Sequence, residues 1–143
     1  MKSVLKAGKS KQPNLWFRGA TIPLREVRRF VREVVKQYQP DKVVLFGSYA
    51  YGTPHDESDV DLMVIMPARN EQDQAFKIRS SVPATFPLDL LVRKPANVAW
   101  RLAEQESFTT EIMKRGKVMY DKKNTRVGTQ SRSRLSRRTT ARS

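Results

Sequence analysis

The segment Val60 to Met66 constrains the fold more than any other part of this 143-residue chain. After Asp61 it reads Leu-Met-Val-Ile-Met, apolar at every position. A strand with one solvated face alternates apolar and polar residues, whereas a strand apolar on both faces belongs to a sheet covered on both sides. Neighbouring segments supply the cover. From Pro23 to Tyr38, Leu24, Val27, Val31, Val34, Val35 and Tyr38 fall at helical spacing, with Pro23 in the first turn and Pro40 past the end. Arg25, Arg28, Arg29, Arg32 and Lys36 occupy the rest of that helix, a face read first as solvated and second as a binder of phosphates or an acidic partner. Lys42 to Phe46 and Pro87 to Val92 read as strands, and Val118 to Tyr120 as a short last one. Residues 70–82 form a helix with Ala75, Phe76, Ile78 and Val82 as its inner stripe. A further helix opens at Pro95 and runs roughly to Phe108, followed by a turn or two from Thr109 to Arg115 that Gly116 closes as a C-cap. This order gives an α/β (α+β) sheet with helices packed on it.

Composition narrows the chemistry. The chain has no cysteine and a single histidine, His55, which excludes disulfides, thiolate metal sites and a His-rich zinc site. Hard oxygen ligands remain, and these suit magnesium or manganese. No apolar run approaches the ~20 residues that span a bilayer, and no secretory signal is legible, so a cytoplasmic location is the expectation. The formal charge of +14 is placed at the ends. Residues 1–18 carry five basic side chains and residues 122–143 carry eight, with no acids in either segment. The intervening body holds 15 basic and 14 acidic groups. This divides the chain into three regions: a basic flexible segment over 1–20, a single domain over 21–121, and a basic tail over 122–143 too poor in large apolar residues to order itself. The tail can lie on nucleic acid or simply be solvated.

The candidate chemistry sits at two places. Val43-Val44-Leu45-Phe46 runs into Gly47-Ser48, and after ten intervening residues come Asp59 and then Asp61. Two carboxylates two positions apart on a strand share a face and repel each other unless they are protonated or share a cation. A third acid, Asp89, stands among Leu88, Leu90, Leu91 and Val92. If its strand lies beside the first, three carboxylates converge. Gly47 lets backbone approach a phosphate closely, and Ser48 offers a hydroxyl and an N–H. A brief helical turn from Tyr49 to Tyr51, ended by Gly52, would add a favourable dipole. A phosphate-binding bend beside divalent-metal ligands points to chemistry on a nucleoside triphosphate. The Gly-x4-Gly-Lys pattern of a P-loop is missing. Taken singly, Asp59 fits a polar turn, Asp89 fits a strand surface, and Gly47-Ser48 fits an ordinary bend; their spacing favours the functional reading.

The run from Val43 to Ser48, then Gly52 and Ser58-Asp59-Val60-Asp61-Leu62, resembles the signature of the minimal nucleotidyltransferases of the DNA polymerase β-like superfamily. Pro87-Leu88-Asp89-Leu90-Leu91-Val92 matches the strand carrying that family's third carboxylate, and Arg115-Gly116-Lys117-Val118-Met119-Tyr120 resembles the end of these domains. The resemblance covers roughly Pro23 to Asp121. It implies a small mixed sheet flanked by helices, with ATP or another NTP as substrate and two Mg2+ ions (Mn2+ in their place) as cofactors. It implies Asp59, Asp61 and Asp89 as catalytic metal ligands, Asp89 also helping to deprotonate the acceptor, and Gly47 and Ser48 as holders of the triphosphate. The implied reaction transfers a nucleoside monophosphate, AMP from ATP, to an acceptor hydroxyl and releases pyrophosphate. The implied partner is a HEPN-type toxin protein, with this chain as antitoxin. Two other readings stand beside it: an inhibitory subunit acting by occlusion, and transfer to a small molecule or an RNA end. Trp16, Phe17, Phe76, Phe86 and Trp100 are the aromatics considered for stacking a base.

Overall fold

The computed structural model describes residues 21–54 and 58–124. Segment 1–20, the loop residues 55–57 with His55, and the tail beyond Asn124 lie outside the described residues, and with them Trp16 and Phe17. The element order is α1 (Leu24–Tyr38), β1 (Lys42–Phe46), α2 (Ser48–Tyr51), β2 (Val60–Ile65), α3 (Glu71–Ser81), β3 (Leu88–Arg93), α4 (Pro95–Ala103), α5 (Ser107–Arg115) and β4 (Lys117–Asp121). The four strands form one mixed sheet in the order β3-β2-β1-β4. β1 runs antiparallel to both β2 and β4, while β2 and β3 are parallel.

The sheet is covered on both faces, as the apolar run after Asp61 requires. On one face Val43, Leu45, Val60, Leu62, Val64, Leu90 and Val92 pack against Val27, Phe30, Val31 and Val34 of α1 and Ile78 of α3. On the other, Val44, Phe46, Met63 and Ile65 pack against Val98 of α4 and Ile112 of α5, with Leu91 at the margin. Burying each such side chain is worth about 1.5–3 kcal/mol, so α1, with four of them in the first core, is held by packing rather than by helix propensity.

Three expectations change. Phe76 is not part of an inner stripe: it is 71% exposed, and Ile78 is the buried residue of α3. The helix opened by Pro95 stops at Ala103 rather than near Phe108. Gln105 takes a left-handed φ of 59°, and the Glu106 carboxylate then accepts from the Phe108 and Thr109 N–H groups, capping a separate α5. Gly116 does end α5, but in extended backbone at φ −68°, so no left-handed turn requires glycine there. Space requires it instead. A Cβ would collide with the Ile112 carbonyl and come within 2.6 Å of Val44 Cγ1 and 3.0 Å of the Leu45 oxygen. The glycine lets the end of α5 lie flat on β1, and β4 starts from that point.

Candidate active site

The parallel register of β2 and β3 brings the two halves of the acidic pattern together. Asp61 pairs with Asp89, as Val60 pairs with Leu88 and Leu62 with Leu90. In-register residues on neighbouring strands point to the same face, and for this pair it is the face on which Met63, Ile65 and Leu91 lie. Both acids stand at the strand starts. Asp59 lies just before β2 rather than inside it, exposed to solvent. Asp89 is exposed as well, the strand-surface position its segment allows, and the cost of burying an acid falls on Asp61. Burial, then the nearby charges of Asp89 and Asp59, push the Asp61 carboxyl from 3.8 up to about 6. The sequence therefore places three mutually repelling acids at one end of one sheet face.

The Gly-Ser bend abuts this end. Gly47 sits at φ 75°, ψ −162°, open to glycine and strained for any other residue. A Cβ at Gly47 would overlap Asp61 Oδ2 and lie 3.0 Å from its Cγ. The bend and the central acid are therefore in contact, and only a bare Cα fits between them. Ser48 begins α2, and the Gly47 carbonyl accepts from the Ala50 and Tyr51 N–H groups, both at 3.0 Å. Such a turn leaves its first N–H groups, those of Ser48 and Tyr49, without an intrahelical partner. Gly52 closes the turn at φ 83°.

The donor set fits magnesium. Every candidate ligand is a carboxylate oxygen, and the mutual repulsion recorded at Asp61 is what a shared cation relieves. Among the described residues no three Asp, Glu or His side chains close around a single point as a ready-made cage.

Residues 30–125 match the family model described as "Polymerase beta, Nucleotidyltransferase". The chain belongs to this nucleotidyltransferase family. A candidate protein adenylyltransferase of Methanocaldococcus jannaschii, MJ0141, is 29% identical over 92 residues, 62% of this chain and 87% of the relative. The crystal structure of a candidate nucleotidyltransferase from Sulfolobus solfataricus superposes with a TM-score of 0.51 at 18% identity, over 70% of this chain and 81% of that one, a likeness of fold. A mutant of the MntA-HpeT toxin-antitoxin complex superposes with a TM-score of 0.43 at 20% identity, over 70% of this chain and 74% of that one, too loosely to argue from.

Two features of this nucleotidyltransferase site have no counterpart in the sequence pattern. Phe46 stands directly opposite Asp61 in the antiparallel register and packs edge-to-face on Phe108, ring centroids 5.9 Å apart. Phe108 is 47% exposed, so an aromatic surface begins one strand away from the acids. Of the aromatics considered for stacking, Phe86 is buried against Phe30 instead, while Phe76 and Trp100 are exposed. Beyond the bend, the Arg115 guanidinium lies 4.1 Å from the Tyr51 ring centroid, steadied by Glu111 at 2.9 Å. Both features depend on register and on how α5 returns to the sheet, and neither leaves a local signal. No helix among the described residues is long and apolar enough to cross a membrane.

Proposed function

We propose that this chain transfers AMP from ATP to a hydroxyl on a partner protein, with release of pyrophosphate. The observation that carries the reading is the in-register pairing of Asp61 with Asp89, with Gly47 against Asp61. Asp59, Asp61 and Asp89 would hold two Mg2+ ions, whose charge would offset that of the triphosphate and of the departing pyrophosphate. Gly47 and Ser48 receive the β- and γ-phosphate oxygens through backbone N–H groups and the Ser48 hydroxyl. Asp89, the more exposed of the paired acids, takes the proton from the acceptor hydroxyl. A bond forms between the acceptor oxygen and the α-phosphorus as the bond from that phosphorus to the bridging oxygen of the β-phosphate breaks. Pyrophosphate leaves with the bonding pair. The described body is small and offers little for an acceptor pocket, which favours an acceptor brought by a second protein, and the name of the M. jannaschii relative is in keeping with one. On this reading the partner is a HEPN-type toxin and the chain its antitoxin.

The test pairs two labels. Purified full-length protein is incubated with Mg2+, the product of the adjacent reading frame, and ATP labelled at either the α- or the γ-phosphate. Label from the α position alone reaches the acceptor, EDTA stops it, and Asp59→Asn or Asp61→Asn abolishes it while the fold persists. Transfer of γ-label, or undiminished transfer by Asp61→Asn, overturns the assignment.

A further inference from the structure

The cations of α1 fall into two groups. Arg25 and Arg29 lie 3.9 and 3.7 Å from the carboxylate of the buried Glu26. Arg28, Arg32 and Lys36 have no ion-pair or hydrogen-bond partner among the described residues. They recur at every fourth position and so form one stripe along the helix, about 6 Å apart in rise. Like charges at that spacing repel and weaken a helix. The stripe is solvated, as its sequence suggests, and it leaves open the second reading of that face, a binder of phosphates.

The same three side chains line a groove of about 550 Å³ between α1 and the edge strand β4. Its floor is Val31, Val35, Met119 and Tyr120, and Glu33 is the one carboxylate among its described lining residues. At the end of β4 the chain passes directly into Lys122 and Lys123, both exposed. The sequence beyond carries six further arginines and no acid. Its charge has the same sign as the stripe's, so it offers the groove no complementary occupant. A regular row of unpaired cations beside an apolar floor that includes one aromatic ring, Tyr120, matches a uniform polyanion with a base that can stack. We propose that the α1–β4 groove binds single-stranded nucleic acid, with phosphates on Arg28, Arg32 and Lys36 and a base against Tyr120. The site is separate from the acids and does not depend on the transfer reaction.

The experiment measures fluorescence anisotropy of a fluorescein-labelled 12-mer of uridylate with full-length protein between 50 and 200 mM NaCl. Each phosphate contact on a single strand adds about 0.7 to the slope of log affinity against log salt. The triple variant Arg28→Ala, Arg32→Ala, Lys36→Ala therefore lowers the slope by about 2 and the affinity at 0.1 M salt by roughly 100-fold. Its circular dichroism melt does not fall below the parent's, because all three side chains are exposed and their removal relieves like-charge repulsion along α1. Three results would overturn the proposal: no binding at 50 mM salt; equal slope and affinity in the triple variant, which places all binding on the tail; or displacement of the 12-mer by a 12-residue polyglutamate at equal concentration, which makes an acidic peptide the better occupant.

Discussion

Replacing Asp61 with asparagine should make the protein more stable at neutral pH while removing its proposed activity. The Asp61 carboxyl is raised from 3.8 to about 6 by burial and by Asp89 and Asp59. The folded chain therefore holds this proton more tightly than the unfolded chain, and between those two values the folded state binds more protons. Stability falls as pH rises through that window, and above about pH 6 the full cost is present. At about 1.4 kcal/mol for each tenfold gain in proton affinity the upper bound is about 3 kcal/mol, and partial exposure with solvent screening reduces it to about 1–2. Asparagine keeps the shape and removes the charge. Asp61→Asn should thus exceed wild type by about 1–2 kcal/mol at pH 7.5 in EDTA, with the difference vanishing near pH 4. Since 1 kcal/mol moves the Tm of a domain this size by about 4–8 °C, both urea and thermal unfolding resolve it. Comparing the variant with wild type at each pH cancels the other carboxylates. An asparagine variant less stable than wild type at pH 7.5, or a pH-independent difference, would refute a repelling acidic cluster.

The same geometry sets three further outcomes. Asp89→Asn removes the larger of the two charge contributions at Asp61 but leaves its burial, so the Asp61 carboxyl should titrate below 6 yet above its ordinary value, as carbon NMR of the side-chain carboxyl will show. Gly47→Ala should cost about 1–3 kcal/mol from the strained φ alone, plus displacement of Asp61; calorimetry should find Mg-ATP binding lost, and wild-type binding would deny the close approach. Glu71→Ala removes acceptors from the Lys94 N–H at 2.8 Å and Asn97 Nδ2 at 2.9 Å and should cost about 1–2 kcal/mol. Although its burial acts the other way, the hydrogen bonds from Asn97 and Lys94 and the charges of Arg93 and Lys94 hold the Glu71 carboxyl below 4.5. Its contribution is therefore complete above 4.5 and lost as pH falls through the lowered value, so the variant and wild type should converge in acid denaturation.

Much of this architecture was legible because local chemistry decides it. The apolar run after Asp61 could only be a strand covered on both faces, and Gly47 and Gly52 do occupy positive φ. Elements whose character comes from packing were less legible. Phe76 sits at a plausible inner position of α3, but the helix turns Ile78 inward and leaves Phe76 in solvent. The break after Ala103 carries no glycine or proline; it depends on Gln105 accepting a left-handed backbone and on Glu106 capping α5. At the site, sequence spacing identified the acids, but only strand register could say which of them would be neighbours. It also decided between two readings of Asp89: that acid is exposed on the strand surface, and Asp61 carries the burden of burial.

The position of the acids is set by where the second helical layer stops. α4 and α5 cover the sheet face of Phe46, Met63 and Ile65 through Val98 and Ile112. On the same face, level with Phe46 and one step before Met63 toward the strand starts, stand Asp61 and Asp89. A chain selected for stability alone would continue Leu62 and Met63 backward with another apolar residue at 61 and gain a covered strand end. Here the covered region ends in a raised carboxyl, an opposing carboxyl in register, and a glycine so close that no side chain can separate the bend from the acid. Each departure alone is tolerable on a surface. Together they concentrate negative charge beside a bend whose Ser48 and Tyr49 N–H groups have no intrahelical partner. On the proposed function a metal-bound triphosphate would answer both, with its cation at the acids and its phosphates at the bend.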